Sequence, residues 1–200
     1  AASQEEMEQL IGYSRDIDAS RAKARALLKE AGVPEGFQFI FNNRGVDQPY
    51  KVVGTWLVDQ WRRIGLDPQQ TVKPSPQFYD TLRKKGDFDV SIDFNCQSVI
   101  NPIADVSKFL CSAGNNYSNC ENQEIEDLYN SLIRAETLDE QRALMRQYEK
   151  AAFDLAGSAI TLWWYKINPH RAYVKGWNIA PSHYLNQHLD NVWCTGGTCK

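Results

Sequence analysis

Polar side chains are concentrated between Asn95 and Pro102, directly after the most regular alternating pattern in the chain. Loops at the carboxyl ends of strands in open α/β sheets line ligand-binding crevices. Amide and hydroxyl groups supply the neutral donors and acceptors that orient a polar ligand. The same residues beside a proline are also typical of an ordinary loop, so both interpretations stay open. The predicted ligand contacts in this loop are Asn95, Cys96, Gln97, Ser98 and Asn101.

Trp164 is a further candidate for a ligand contact, because aromatic rings stack on sugars and planar groups. It lies in the apolar run Ala159–Tyr165, where alternation places it opposite Trp163 and Tyr165. Aromatic residues in an apolar strand more often pack in a core than form a ligand platform. The sequence therefore leaves a core role and a ligand role open for Trp164.

A metal site is a second possible chemistry. His183, His188, Cys194 and Cys199 give the spacing H-x4-H-x5-C-x4-C, which contains the ligand types of a structural zinc site. In a standard zinc finger the cysteines come first and lie closer together. A disulfide between Cys194 and Cys199 explains the same two cysteines more simply, so zinc is only an alternative interpretation.

The five cysteines favour an oxidising compartment, because several of them lie in short Gly/Asn-rich stretches. Cys111 and Cys120 bracket one loop, and Cys194 and Cys199 bracket another. Both brackets are plausible disulfides, and Cys96 is then left over. The sequence does not determine the connectivity.

Catalysis is not predicted. The sequence contains no G-x-S-x-G elbow, no H-E-x-x-H and no Gly-rich phosphate loop. Cys96 could act as a nucleophile with His170, His183 or His188 as the base, but nothing in the sequence brings these residues together. We therefore expect a protein that is not an enzyme and that needs no cofactor.

The elements that must position these residues alternate between helical and strand patterns, which predicts an α/β layered fold. Apolar residues at helical spacing predict a helix with Asp18 as its N-cap and Gly32 at its end. Alternation predicts strands at Phe37–Phe41 and Asp87–Phe94, and Ala159–Tyr165 is typical of a central strand. The other predicted elements are a helix at Val53–Ile64, a strand at Leu66–Val72 broken by Pro68, a helix with Ser75 as its N-cap and Pro76 in its first turn, a helix at Ile125–Ile133, and a helix with a capping box at Thr137 and Glu140.

Bulk composition excludes several classes of protein. The chain has 200 residues, of which 42% are hydrophobic and 24% charged, as in an ordinary soluble domain. The formal net charge of -3 gives no basic stripe, so nucleic acid is an unexpected partner. No apolar run approaches the roughly 20 residues that span a bilayer. The first ten residues lack the basic start and apolar segment of a signal peptide, so we expect either a removed signal or a fragment.

The order of several segments resembles family 5 of the extracellular solute-binding proteins, which serve peptide, nickel and opine ABC importers. No single segment is specific, but together they run in the family's order from about Asp18 to Trp193. The segments are DASRAKARALLKEAGVPEGFQFIF, VVGTWLVDQWRRIGLDPQ, FYDTLRKKGDFDV, NPIADVSKFL, NYSNCENQEIEDL and VKGWNIAP.

This resemblance implies a periplasmic-binding-protein-like lobe with a mixed sheet flanked by helices. Residues 1–200 would be a single domain, the C-terminal lobe of a two-lobed protein, and about 175–200 would be the tail that returns to the missing N-terminal lobe. The implied function is capture of a polar organic solute for an ABC permease, in the periplasm or outside the cell, after export by a signal peptide absent from this chain. The alternatives are a zinc- or nickel-binding protein and an interaction lobe that binds no ligand by itself.

The resemblance also bears on the ligand. In peptide-binding relatives this loop carries a carboxylate that pairs with the ligand's α-ammonium group, and the matching residue here is Ser98. Nickel-binding relatives have a Trp and a Tyr where this chain has Asn95 and Val99. A solute with a free peptide N-terminus is therefore disfavoured. A peptide-like, opine-like or sugar-conjugate solute rich in hydroxyl or amide groups fits Asn95, Gln97, Ser98 and Asn101 better.

Overall fold

The computed structural model describes residues 3–10, 12–84, 87–96, 101–118, 122–162, 165, 167–180 and 188–196. Contacts within the chain divide it into two compact units, Ala1–Phe94 and Asn95–Lys200. The first unit contains a parallel sheet with helices, which confirms the predicted α/β class. Across the described ranges, no helix combines the length and the apolar character that crossing a bilayer requires.

The sheet of the first unit has three parallel strands in the order β2-β1-β3. Strand β1 (Phe37–Arg44) pairs along its whole length with β2 (Leu66–Lys73), from Phe37 opposite Leu66 to Arg44 opposite Lys73. Strand β3 (Val90–Ser91) pairs only with the middle of β1. All three strands therefore end at the same edge of the sheet, which is the edge formed by their carboxyl ends.

Helices connect these strands, as parallel pairing requires. The predicted N-cap at Asp18 is wrong by two residues, because the Asp16 carboxylate accepts the capping hydrogen bond from the Ala19 amide at 2.9 Å. Gly32 ends this helix with a φ of 73°, as predicted. The helices of the unit are α1 (Gln4–Glu8), α2 (Ile17–Glu30), a helical turn at Asp47–Lys51, α3 (Val52–Arg62) and α4 (Ser75–Arg83).

The core of the first unit packs the apolar face of β1 against α3. Phe39 and Phe41 each contact the ring of Trp61 edge to face, with ring centroids 5.2 and 5.0 Å apart. Phe41 is fully buried, as are Phe78 and Leu82 of α4. Edge-to-face pairs at such distances stabilise a core beyond their buried area, so α3 is held firmly on β1.

Two predicted details in this unit are wrong for identifiable reasons. Pro68 does not break the strand, because β2 lies at the edge of the sheet, where a residue without an N–H is tolerated. Ser75 does not cap α4; it is the first residue of the helix, after Pro74 at the cap position. The Ser75 hydroxyl instead accepts a hydrogen bond from Arg44 at 2.7 Å.

Two predicted strands are shorter or absent. Within Asp87–Phe94 only Val90 and Ser91 form a strand, because these are the two residues that pair with β1. In Ala159–Tyr165 the described residues, 159–162 and 165, form no strand and are all exposed. An apolar alternating pattern supplies a face to bury, but a neighbouring backbone must supply the hydrogen bonds.

The second unit is centred on a helical hairpin. Its core consists of Leu110, Ile125, Tyr148 and Ala151. The capping box at Thr137 and Glu140 is confirmed. The antiparallel pair β4–β5 forms a sheet of its own. The elements are α5 (Pro102–Val106), a 3-10 turn at Ser107–Phe109, α6 (Gln123–Leu132), α7 (Leu138–Leu155), β4 (Val174–Lys175) and β5 (Trp193–Cys194).

Candidate functional site

Three consecutive polar residues, Asn42, Asn43 and Arg44, occupy the carboxyl end of β1. Both asparagines are fully buried, with 0% of their surface exposed. Ligands of open α/β sheets bind outside the carboxyl ends of the strands. This edge is therefore the first place in the unit where buried polar groups and the expected ligand position coincide.

The Asn43 side chain lies against Gly54 of α3. A Cβ atom added to Gly54 would lie 2.7 Å from both Nδ2 and Oδ1 of Asn43, so glycine is needed there. Neither of these two amide atoms has a hydrogen-bond partner among the described residues. A buried polar group without a partner costs about 1–3 kcal/mol, so it requires an explanation beyond packing.

The Asn42 side chain points to the opposite side of β1, and only one of its two polar atoms forms a hydrogen bond with a described residue. Its Nδ2 donates to the Ser91 hydroxyl of β3 at 3.3 Å, and that hydroxyl in turn donates to the Asn42 carbonyl at 3.3 Å. The side-chain oxygen Oδ1 of Asn42 has no hydrogen-bond partner within the part of the chain that the structure describes. At this edge, buried polar atoms without a hydrogen-bond partner among the described residues therefore lie on both faces of β1.

Arg44 is held by hydroxyl groups and aromatic rings. Its Nε donates to the Ser75 hydroxyl at 2.7 Å, and its Nη1 lies 3.3 Å from the hydroxyls of both Tyr50 and Tyr79. The guanidinium carbon lies 5.0 and 5.2 Å from the centroids of these two rings. Such cation–π contacts hold a guanidinium in one orientation. We call Arg44, Tyr50, Ser75 and Tyr79 the Arg44 cage.

The Arg44 cage contains no acidic side chain. Burial is the main cause that raises the pKa of Tyr50 to about 12, and the hydrogen bond from Arg44 opposes this rise. The Tyr50 phenol is therefore neutral at physiological pH. Asp93 lies near enough to raise the pKa of Tyr50 further, but no carboxylate of the described residues lies within 4.0 Å of the Arg44 guanidinium.

The predicted ligand loop belongs to the second unit, and the structure describes part of it. Asn95 is exposed, with Nδ2 3.5 Å from the Asp105 carbonyl oxygen. Cys96 is half-buried and carries a free thiol. Asn101 caps α5 by accepting a hydrogen bond from the Ile103 amide at 3.0 Å, which gives it a structural role as well. The other three predicted contacts, Gln97, Ser98 and Trp164, lie outside the described residues.

The alternative chemistries receive no support from the described residues. Among these residues, no group of three or more His, Cys, Asp or Glu side chains could hold a metal ion. His188 is exposed, and His183 and Cys199 lie outside the described ranges, so zinc stays an alternative prediction. The ring of His170 contacts Trp177 edge to face, and no hydrogen bond between described residues joins a histidine to Cys96.

The structure describes one cysteine of each predicted disulfide. Cys111 and Cys194 are assigned as half-cystines, whereas Cys96 is free. The predicted partners, Cys120 and Cys199, lie outside the described residues. The pairings Cys111–Cys120 and Cys194–Cys199 therefore stay predictions.

A shallow hollow of about 300 Å³ lies at the opposite edge of the sheet, just before β1 and β2 begin. One of its lining residues, Arg25, already donates to the Arg63 carbonyl at 3.0 Å. The hollow lies at the amino ends of the strands, where open α/β sheets do not bind ligands. We therefore place the candidate site at the carboxyl edge, where the polar groups are.

The sequence analysis did not identify the polar residues at the carboxyl end of β1 as candidate site residues. The signal was present, because three polar residues directly follow the apolar strand pattern at Phe37–Phe41. The same rule that selected the loop after Phe94 applies to this strand end as well. What the sequence did not reveal is that Tyr50, Ser75 and Tyr79 converge on Arg44 from two other segments.

Residues 6–117 match the sequence model of a protein family described as bacterial extracellular solute-binding proteins, family 5, middle. The match covers the whole parallel sheet, α5 and the start of the second unit. No curated protein sequence matches the chain.

Solved structures support the same fold. A periplasmic binding protein DppA, associated with an ABC transporter of Helicobacter pylori and in complex with the peptide STSA, superimposes with a TM-score of 0.72 at 18% identity, over 93% of this chain and 36% of its own. OppA of Burkholderia pseudomallei gives 0.62 at 16% identity, over 72% and 29%. A dipeptide-binding protein of Pseudoalteromonas sp. SM9913 in complex with Met-Leu gives 0.55 at 22%, over 66% and 26%. The chain thus spans about a third of the length of these relatives or less.

Proposed function

Because the chain belongs to family 5 of the bacterial extracellular solute-binding proteins, we propose that it captures a polar organic solute outside the cytoplasm for an ABC importer. The observation that carries this proposal is the family match over residues 6–117, which includes the sheet edge formed by Asn42, Asn43 and Arg44. The polar groups around Arg44 at this edge support it, because a guanidinium and hydroxyls supply donors and acceptors for a polar ligand.

We further propose that the chain is the C-terminal lobe of a two-lobed binding protein. Its span of about a third of the DppA relative supports this assignment. In the intact protein the two lobes would close on the solute, and closure would supply most of the burial. The partners would be the other lobe and a membrane permease, in the periplasm or at the cell surface.

The solute itself would be peptide-like, opine-like or a sugar conjugate. The printed ligands of two structural relatives, STSA and Met-Leu, support a peptide-like solute. The residue Ser98 opposes a free peptide N-terminus, because a hydroxyl gives only a neutral hydrogen bond where peptide binders have a carboxylate. Charge-assisted hydrogen bonds are about twice as strong as neutral ones.

The first experiment weighs the solute directly. Native mass spectrometry of the full-length gene product, purified without denaturation, should show a bound small molecule that unfolding releases. A protein that carries no solute and binds none from an extract of its growth medium would contradict the proposed function.

The second experiment tests the ligand class by calorimetry with two probes, tri-alanine and N-acetyl-tri-alanine. The wild-type full-length protein should bind the unblocked peptide no more tightly than the blocked one. Ser98→Asp should increase the affinity for the unblocked peptide by about 10-fold and leave the blocked one unchanged, because only the free ammonium gains an ion pair. Tight wild-type binding of tri-alanine would show that the assignment to Ser98 is wrong.

A further inference from the structure

The hollow at the amino edge of the first unit is an apolar surface that the proposed site does not use. It has a volume of about 300 Å³ and is lined from α2, from the turn after α2 and from the start of β2. Helix α2 is 14 residues long, yet none of its residues is fully buried. The apolar residues that line the hollow are Leu28, Val33, Pro34, Ile64 and Leu66. The first unit therefore leaves an apolar concave surface open at this edge.

Two larger apolar side chains lie exposed beside the hollow. Phe37 is the in-register neighbour of the lining residue Leu66, and it is 45% exposed. Leu27, which precedes the lining residue Leu28 in α2, is 38% exposed. Single exposed apolar residues are ordinary, but a cluster of them around a concave apolar surface is typical of a protein–protein contact. A solute is not the expected occupant, because open α/β sheets bind ligands at their carboxyl edge.

Two opposite charges also line the hollow. Lys29, in the last turn of α2, and Glu35 are both exposed lining residues. Neither of them forms an ion pair with a described residue. The third charged lining residue, Arg25, is already engaged, because it donates to the Arg63 carbonyl at 3.0 Å. The hollow therefore presents one cation and one anion that the described part of the chain does not pair.

We propose that this edge is a contact between two copies of the chain related by a two-fold axis. In a two-fold contact a patch meets itself, so that each contact between two residues occurs twice. A patch that carries one unpaired cation and one unpaired anion is complementary to its own copy, whereas a patch of a single sign would repel its copy. Lys29 of each copy pairs with Glu35 of the other, and each copy covers apolar residues such as Phe37 of the other. This inference does not depend on solute capture.

The size of the patch makes this a weak contact. A stable interface involves about 20–30 residues on each side, whereas nine residues line the hollow. We therefore expect a dissociation constant on the order of 10–100 µM. Exposed ion pairs contribute little affinity, but they determine which surfaces can meet and in which orientation.

The first test reverses the charges and measures the dimer by sedimentation velocity of the full-length gene product. Lys29→Glu and Glu35→Lys should each weaken dimerisation by about 10-fold, because like charges would then meet at both ends of the contact. An equimolar mixture of the two variants should dimerise at least as tightly as wild type, because one copy then carries two acidic groups and the other two basic groups. A wild-type protein that is still monomeric at about 1 mM, or a mixture no tighter than either variant alone, would overturn the proposal.

Two matched controls separate the contact from net charge. Lys23→Glu and Glu30→Lys make the same charge changes at exposed positions of α2 that do not line the hollow. Both should dimerise as wild type does. If they weaken dimerisation as much as Lys29→Glu and Glu35→Lys, the effect belongs to net charge and the assigned contact is wrong. Circular dichroism shows whether each variant is folded.

The second test locates the contact without any substitution. Unlabelled and isotope-labelled wild-type proteins are mixed and treated with a carbodiimide, which joins an amine directly to a carboxylate that touches it. Mass spectrometry of the digested dimer should find the peptide of Lys29 joined to the peptide of Glu35, with one peptide labelled and the other unlabelled. A dimer whose cross-links between copies lie elsewhere would overturn the proposal, and solute capture would be unaffected.

Discussion

The two units differ in whether their most deeply buried polar side chains form hydrogen bonds. In the second unit, the Tyr148 side chain is 1% exposed, and its hydroxyl donates to the Val106 carbonyl at 3.0 Å. In the first unit, Asn42 and Asn43 are 0% exposed, and three of their side-chain polar atoms have no partner. The second unit satisfies this hydroxyl and leaves one buried amide atom, Asn168 Nδ2, without a partner among the described residues. The first unit leaves three amide atoms unpaired at the carboxyl edge of its sheet.

This difference separates a paired hydroxyl in the core of the second unit from unpaired amides at the proposed site in the first unit. A satisfied buried hydroxyl contributes to stability, whereas an unpaired amide destabilises the fold by about 1–3 kcal/mol. Packing alone would favour an apolar residue at Asn43, because the face of β1 that contacts α3 is otherwise apolar. The unpaired amides therefore carry a cost in stability, which can be tested by substitution.

The largest expected effect concerns the contact between β1 and α3. Gly54→Ala should lower the free energy of unfolding by about 2 kcal/mol, because its Cβ would lie 2.7 Å from Asn43 Nδ2 and Oδ1. Adding Asn43→Ala to this variant should recover most of the loss, since the two sites share one contact. Gly114→Ala in the second unit is the matched control, because a Cβ there meets nothing within 4 Å. Urea denaturation measures all four proteins, and a Gly54→Ala variant as stable as Gly114→Ala would contradict the packing.

The next effect should have opposite signs in the two units. Asn43→Leu, which replaces an unpaired amide by an apolar side chain of similar shape, should raise the free energy of unfolding by about 1 kcal/mol. Tyr148→Phe should lower it by about 1 kcal/mol, because it leaves the Val106 carbonyl without its donor. Tyr129→Phe is the control, since no hydrogen bond involves its hydroxyl among the described residues. If Asn43→Leu destabilised the protein as much as Tyr148→Phe, the comparison between the units would fail.

The smallest effect is a pH dependence to which Tyr50 of the first unit contributes, in addition to Tyr148 of the second unit, whose pKa burial also raises. Burial raises the pKa of Tyr50 to about 12 from its ordinary 10.0, so the unfolded chain loses this proton at lower pH than the folded one. The stabilisation is complete below pH 10 and is lost as the pH rises from 10 toward 12. In urea denaturation across this range, Tyr50→Phe should show a shallower loss of stability than wild type. Tyr165→Phe, whose parent side chain is 91% exposed, should keep the wild-type slope.

Prediction from the sequence succeeded where short-range rules apply. The capping box at Thr137 and Glu140 and the helix end at Gly32 depend on a few consecutive residues, and the structure confirms both. Prediction failed where a partner was needed. The strand expected at Ala159–Tyr165 has no partner among the described residues, and the strand expected at Asp87–Phe94 is reduced to the two residues that pair with β1.

The candidate site shows the same difference between features that depend on consecutive residues and features that depend on distant ones. Asn95, Cys96 and Asn101 lie in the predicted loop, but the described structure gives Asn101 a capping role and leaves Asn95 exposed. The Arg44 cage was not predicted, because its members are up to 35 residues apart in sequence. Periodicity identifies which residues are polar, but it does not identify which of them will meet.

The sequence by itself determined the α/β class and the family, because local periodicity, caps and the order of short segments are written in consecutive residues. Tertiary structure alone decided that Asn42 and Asn43 are buried without full pairing and that Arg44 is surrounded by neutral hydroxyls. The physical reason is that burial and charge compensation depend on which distant segments cover a strand end. A polar residue becomes a candidate binding group only when that covering removes water and supplies no partner.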